Sequence, residues 1–185
     1  MKNITIWSDK DGVIAVYEPH VYRPKDPNET PLFMQEGVHY YRNCKADNRI
    51  IEAYRLIQKE YPGIPFAVIT NVVDVTAPVA LANEHMIDKK IWTSKKMPFL
   101  DINNQFYAIQ MPKYIKAKEI LGRNLVKTDI LISDYNNDLI PWENAGGTGI
   151  KYLNGQNSAG SFDGAKITED MTPQDIKNFI INISS

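Results

Sequence analysis

The stretch NITIWSDKDG, residues 3–12, decides the fold. Residues 3–7 are a short apolar run of strand length. Ser8 follows, then two acids one residue apart, Asp9 and Asp11, and then Gly12. Two carboxylates at i and i+2 after a strand can share a divalent cation, and a glycine beside them lets the backbone turn tightly. Taken alone, Asp-x-Asp-Gly is also the pattern of an ordinary turn or a calcium loop. The calcium-loop reading lacks its late glutamate, because Pro19 and His20 stand near the twelfth position.

Working outward, the same arrangement recurs. Residues 66–69 (FAVI) are a continuous apolar run followed by Thr70 and Asn71, and residues 129–133 (DILIS) are followed by Asp134. Continuous apolar runs of this length fit strands covered on both faces, as in a parallel sheet. Between them lie helical patterns. Ile50, Ile51, Tyr54, Leu56 and Ile57 share a helix face over residues 46–60, which Pro62-Gly63 ends. Residues 76–86 read as a helix with Pro78 in its first turn, and residues 113–122 as a short helix closed by Gly122. Residues 137–145 form another helix before the Gly146-Gly147 turn, and residues 174–183 a last one with Thr172 as N-cap. Further strands are expected at 90–93, 106–109 and 148–152.

Strands alternating with helices predict an α/β fold with a doubly wound, mostly parallel sheet of the Rossmann-like kind. In such sheets ligands bind beyond the carboxyl ends of the strands. Asp9 and Asp11, Thr70 and Asn71, and Asp134 all fall just past apolar runs, so three strand ends should face one crevice. Asp138 stands one helical turn after Asp134 and faces the same way. Asp134 or Asn136 could instead serve as a helix cap, which would not exclude metal binding.

The chain of 185 residues suits a single domain, residues 1–185, with residues 15–45 as a short irregular insertion. That insertion contains four prolines and no sustained helical period. It is too apolar for a disordered tether, with Val21, Tyr22, Leu32, Phe33, Met34, Tyr40 and Tyr41. The net charge of −1 supplies no basic field for nucleic acid or an anionic membrane. No apolar run approaches the roughly 20 residues of a membrane span, and no signal peptide is evident. The single cysteine, Cys44, rules out an internal disulfide and suits a reducing cytoplasm. His20, His39 and His85 show no recognisable metal spacing.

In order, strand–DxDGV, strand–TN, lysine on a helix and strand–DxxxD are carried by WSDKDGVIA, FAVITN, MPKYIKAKEIL and ILISDYNNDLIPWENAGGTGI. Across nearly its whole length the chain thereby resembles the haloacid dehalogenase superfamily. The last segment looks like that of phosphatases related to cytosolic 5'-deoxyribonucleotidases. The resemblance implies a phosphomonoester hydrolase with Asp9 as nucleophile and Asp11 as acid and base. It implies Thr70, Asn71 and Lys116 as phosphate-binding groups, with Lys113 and Lys118 competing for the lysine's role. It also implies Mg2+ held by the Asp9 carboxylate, the Asp11 backbone carbonyl and Asp134, with Asp138 orienting bound water. The insertion would be a small cap, short enough to leave the crevice partly open. Tyr17, Tyr22, Phe33, Tyr40, Tyr41 and Arg42 could meet a base or a phosphate there, or simply pack the insertion onto the core.

The expected substrate is small and phosphorylated, first of all a nucleoside monophosphate. Sugar phosphates and nucleic-acid phosphate ends are the alternative. A phosphate-binding module without turnover is the remaining rival. Receivers with a phosphorylatable aspartate carry an acidic pair after the first strand and the acceptor after the third, an order this chain lacks. The oligomeric state is not legible.

Overall fold

The apolar run after residue 3 forms β1 (Thr5–Ser8), the central strand of the molecule. The structure is a computed structural model and describes residues 4–16, 18, 24–72, 79–157 and 160–183. In chain order β1 is followed by a helical turn α1 (Tyr40–Asn43), α2 (Asn48–Glu60), β2 (Phe66–Val72), α3 (Val79–Lys96), β3 (Gln105–Ile109) and α4 (Lys113–Leu121). Then come β4 (Asp129–Ser133), α5 (Asn136–Asn144), β5 (Thr148–Tyr152), β6 (Ala165–Ile167) and α6 (Pro173–Ile183).

The six strands form one sheet in the order β3-β2-β1-β4-β5-β6, with every neighbouring pair parallel. The chain therefore runs outward from β1 through β2 to β3, returns to pair β4 with β1, and runs outward again. Ile6 pairs with Phe66 on one side and Ile130 on the other. The order reverses beside β1, and the carboxyl ends of β1 and β4 open a crevice there.

The inner strands are buried on both sides because helices cover both faces, while the edge strands β3 and β6 are only partly buried. Ile6, Val68, Ile130 and Ile132 pack with Ile50, Ile51, Tyr54 and Ile57 of α2, Trp92 of α3, and Ile176 and Ile180 of α6. Trp7, Ala67, Ile69 and Leu131 point the other way, onto Ala117 of α4 and Leu139 and Trp142 of α5. This alternation is the period of two expected of strand side chains. The indole of Trp142 donates to the Asp129 carbonyl at 3.0 Å. A Cβ on Gly147 would lie 2.2 Å from that ring nitrogen, so the Gly-Gly turn is needed to seat the tryptophan.

Several local expectations hold. Gly122 closes α4 in the left-handed conformation, φ 64°. Thr172 and Asp175 exchange backbone-to-side-chain hydrogen bonds at 3.0 and 3.2 Å, a reciprocal cap on α6. Others are corrected. Residues 90–93 are not a strand; they lie within α3, which continues to Lys96 and buries Asp88, Lys89, Trp92 and Thr93 on one face. The β2 strand does not end at Thr70 and Asn71 but runs through them to Val72, pairing all three with β3. Strand β6 was not anticipated, since three residues carry no readable period. Neither Asp134 nor Asn136 caps α5, whose N-cap is Tyr135.

The segment before α2 lies against α3. Trp92 Nε1 donates to the Cys44 carbonyl at 2.7 Å, and the rings of Phe33 and His85 stand 6.4 and 4.9 Å from that of Tyr41. Tyr41 is buried there, the packing role weighed for the insertion aromatics. Tyr17, His20, Val21, Tyr22, Pro19 and Pro78 lie outside the described residues. No helix among the described residues is long and apolar enough to cross a membrane.

Candidate active site

The site is assembled where β1, β2 and β4 end. Asp9 follows β1 directly, and its N–H donates to the Ile132 carbonyl at 2.8 Å, which continues the β1–β4 ladder one step past the strand. The side chain is thereby fixed at the crevice. Its Oδ1 accepts from the Lys10 N–H at 2.7 Å, and its Oδ2 lies 2.5 Å from Lys113 Nζ. Lys113 opens α4 and also donates to Asp138 Oδ2 at 2.7 Å. Ser133 Oγ donates to the same Asp138 oxygen at 3.0 Å. One buried ammonium thus holds an acid from the loop after β1 and another from the first turn of α5.

Burial raises the Asp9 pKa to about 7. Lys113 opposes the shift, while Asp138, Asp11 and Asp134 add to it. Burial works against the charge on Lys113, but Asp138 and Asp9 more than offset it and its pKa is pushed up. A carboxylate this deeply placed among other acids needs more positive charge than one lysine supplies.

Asp11 faces elsewhere. Its Oδ1 lies 3.1 Å from Lys10 Nζ and its Oδ2 2.6 Å from Lys89 Nζ. Both lysines are buried. Lys10 Nζ sits 4.5 Å from the centre of the Trp92 ring, and Lys89 Nζ 4.3 Å from that of Tyr41. Burial would raise the Asp11 pKa, but Lys10 and Lys89 dominate and hold it well below the usual carboxylate range. Lys89 also donates to Thr70 Oγ1 at 3.2 Å and to the Asn71 carbonyl at 2.6 Å, so the end of β2 joins the site through this lysine. With its carboxylate occupied by two ammonium groups, Asp11 has its backbone carbonyl left to offer a cation.

Asp134 follows β4 and is nearly sealed from solvent. Asn154 and Asn157 donate their side-chain amides to its Oδ2 at 2.8 and 2.7 Å. Asn154 also donates to the Gly12 carbonyl at 2.7 Å, which ties the first motif to the fourth. A Cβ on Gly12 would lie 2.2 Å from Asp134 Oδ2, and its φ is +81°, so only glycine permits this approach. Lys151 donates to the Asp134 carbonyl at 2.5 Å and to the Asn157 carbonyl at 2.6 Å, fixing the loop that carries the amides.

These groups fit a hard divalent cation. Asp9 and Asp134 are buried carboxylates, and with the Asp11 backbone carbonyl they make an all-oxygen donor set. The Gly12 cradle brings the first motif against Asp134 at van der Waals limits.

The lysine expectation is corrected. Lys116, expected at phosphate, pairs with Glu119 at 3.2 Å and is partly exposed, away from the crevice. Of the three competing lysines it is Lys113 that reaches the Asp9 carboxylate, from a helix face it shares with buried Ala117 four residues on. Sequence reasoning also missed Lys10, Lys89, Ser133, Lys151, Asn154 and Asn157. Lys10 was inside the motif, and the polar run LNGQN after β5 was the one available signal for the asparagines.

The fold recurs in solved structures. A D,D-heptose 1,7-bisphosphate phosphatase from B. bronchiseptica, complexed with magnesium and phosphate, superposes with a TM-score of 0.61 at 14% identity, over 97% of this chain and 98% of that one. The D,D-heptose 1,7-bisphosphate phosphatase of Burkholderia thailandensis gives 0.59 at 13% identity, over 96% and 98%. A HAD-superfamily hydrolase from Ehrlichia chaffeensis gives 0.54 at 14%, over 100% of both chains. The chain has the haloacid dehalogenase fold. No protein-family model and no curated protein matches the sequence, so the haloacid dehalogenase likeness is one of architecture.

Proposed function

We propose that this chain is a Mg2+-dependent phosphomonoester hydrolase working through an aspartyl-phosphate on Asp9. The observation that carries the reading is the Asp9–Lys113–Asp138 cluster at the sheet's switch point, with Asp134 anchored by Asn154 and Asn157 against Gly12. Magnesium held by Asp9, the Asp11 carbonyl and Asp134 would supply positive charge against the phosphoryl oxygens.

Two unit negative charges 4 Å apart repel by about 4 kcal/mol at an effective dielectric of about 20, so a carboxylate cannot approach phosphate without help. Lys113, at 2.5 Å from Asp9, offsets part of that repulsion, and Thr70 lines the β2 side. An Asp9 oxygen bonds to phosphorus as the bond to the leaving oxygen breaks, and Asp11 passes that oxygen a proton drawn from the Lys89 ammonium beside it. Asp11, now a carboxylate, takes a proton from water as the water attacks phosphorus. The Asp9–phosphorus bond then breaks and phosphate departs.

A nucleoside monophosphate is the first substrate class to test. A sugar phosphate is the second reading, favoured by the likeness to two heptose bisphosphate phosphatases. Residues 15–45 would act as a small cap over the leaving group. The test is phosphate release from nucleotides, sugar phosphates and para-nitrophenyl phosphate, with and without Mg2+. Turnover that requires Mg2+ and disappears in Asp9→Asn is expected; undiminished turnover in that variant overturns the reading.

A further inference from the structure

A second group of ligating atoms lies outside the crevice, between α1 and α3. His39 Nδ1 stands 3.0 Å from Asp88 Oδ2 and 3.4 Å from Glu84 Oε1. Among the described residues this is the one trio of histidine, cysteine or acidic side chains whose ligand atoms all fall within 4.8 Å of one another.

We propose that His39, Glu84 and Asp88 form a binding site for a divalent transition-metal ion that fastens the segment before α2 onto α3.

Two negatively charged groups face a single ring nitrogen. A nitrogen carries at most one hydrogen, so one hydrogen bond can satisfy only one of the two oxygens. A metal ion at the centre satisfies all three atoms together. The spacing suits it: donors about 2.1 Å from one ion stand about 3.0 Å apart in an octahedral corner and about 3.4 Å apart in a tetrahedral one. Glu84 and Asp88 are four residues apart on α3 and project from the same face, while His39 comes from the facing segment. His39 holds a left-handed backbone, φ 50°, at the N-cap of α1.

Asp88 is fully buried, and its other oxygen, Oδ1, accepts from Arg42 Nε at 2.9 Å and lies 2.7 Å from Arg42 Nη2. Arg42 thus orients the carboxylate and leaves Oδ2 for the ion, as outer partners of metal ligands do. An imidazole among two carboxylates selects Zn2+, Co2+ or Fe2+ over Mg2+, which prefers oxygen alone. The site therefore differs in preference from the crevice at Asp9 and does not depend on any phosphatase activity.

The test is Zn2+ binding by calorimetry and Co2+ binding by visible absorption, on chelator-treated full-length protein. Asp134→Asn serves as the background that removes the crevice ion, and His39→Ala and Glu84→Gln are made in it. One equivalent of Zn2+ is expected in that background, with affinity lowered roughly 100-fold or more in each variant and a Co2+ spectrum that changes with His39. A rise in Tm on adding Zn2+ should likewise be lost in both. Equal binding in the variants, or no binding in the Asp134→Asn protein, overturns the site and leaves the cluster as an ion pair only. Glu84→Gln keeps the side chain's size, so the result stands if His39→Ala folds poorly.

Discussion

Lys113 Nζ lies 2.5 Å from Asp9 Oδ2, with both side chains nearly closed to solvent. The contact joins the residue after β1 to the first residue of α4, and it makes Lys113 the positive charge nearest the proposed nucleophile. Replacing Lys113 with Met should lower kcat/KM for para-nitrophenyl phosphate by roughly 10²–10³-fold, the range for losing one charge-stabilising donor. Lys116→Met, which removes only a surface pair with Glu119, should stay within about twofold of wild type. Equal losses in the two variants would restore the sequence-based assignment of the lysine.

The architecture was legible because apolar runs and turn residues act locally. FAVIT and DILIS read as buried strands, and Thr70, Asn71 and Asp134 at their carboxyl ends could be grouped with Asp9 and Asp11 from the sequence alone. What failed was phase and tertiary pairing. The lysine segment offers three lysines within six residues, and only the docking of α4 decides which one turns inward. Residues 90–93 looked like a strand because Ile91 and Trp92 are adjacent apolar residues. In fact Asp88, Lys89, Trp92 and Thr93 are buried while Ile91 between them is exposed, the spacing of a helix lying on a core. Lys10 and Lys89 were unreadable as site residues because their meeting at Asp11 depends on tertiary packing, with their ammonium groups resting on Trp92 and Tyr41.

Asp9 also sets a pH dependence. Its pKa is raised by burial to about 7, so its proton stabilises the metal-free fold. That contribution is fully present below the ordinary carboxylate range and is lost as pH rises through about 7. Asp134 is pushed up as well and acts in the same direction. In chelator, the Tm of the wild type should fall between about pH 5 and about pH 8, and Asp9→Asn should flatten much of that slope. Mg2+ must displace the Asp9 proton, so its affinity should drop as pH falls below about 7, measured by calorimetry in two buffers of different ionisation enthalpy. A pH-independent Mg2+ affinity would remove Asp9 from the ligand set.

Gly12 is the tightest point of the crevice. In Gly12→Ala the new Cβ would stand 2.2 Å from Asp134 Oδ2 at a φ of +81°. Asp134 must move, so both stability and Mg2+ binding should suffer: roughly 1–3 kcal/mol for the backbone alone, with activity near background. Denaturant unfolding and Mg2+ titration of the same preparation separate the two effects. A variant with wild-type Mg2+ affinity would show that Asp134 does not serve the ion from this position.

Asn154 tests whether the anchoring of Asp134 matters apart from its charge. Asn154→Leu removes two donated hydrogen bonds, to Asp134 Oδ2 and to the Gly12 carbonyl, and leaves every charged group in place. Partners of metal ligands typically cost 10–100-fold in affinity when lost, so the Mg2+ concentration for half-maximal activity should rise by about that factor. Turnover at saturating Mg2+ should stay within several-fold of wild type. A fall in saturated turnover with unchanged Mg2+ dependence would mean that Asn154 acts on the substrate instead.

Lys89 bears on how Asp11 obtains the proton it must give away. Lys10 and Lys89 hold Asp11 ionised, the form that activates water, whereas expelling an alkoxide leaving group needs the acid form. Lys89 Nζ, 2.6 Å from Asp11 Oδ2, is an ammonium positioned to supply that proton, and burial pushes its pKa down toward release. A good leaving group such as para-nitrophenolate departs with little protonation, whereas the oxygen of an alkyl phosphate does not. Lys89→Met should therefore cost roughly 10²-fold or more on alkyl phosphates, the lower range for general acid catalysis, and several-fold less on para-nitrophenyl phosphate. Equal losses on both substrates would assign Lys89 to holding Thr70 and the end of β2 rather than to proton supply.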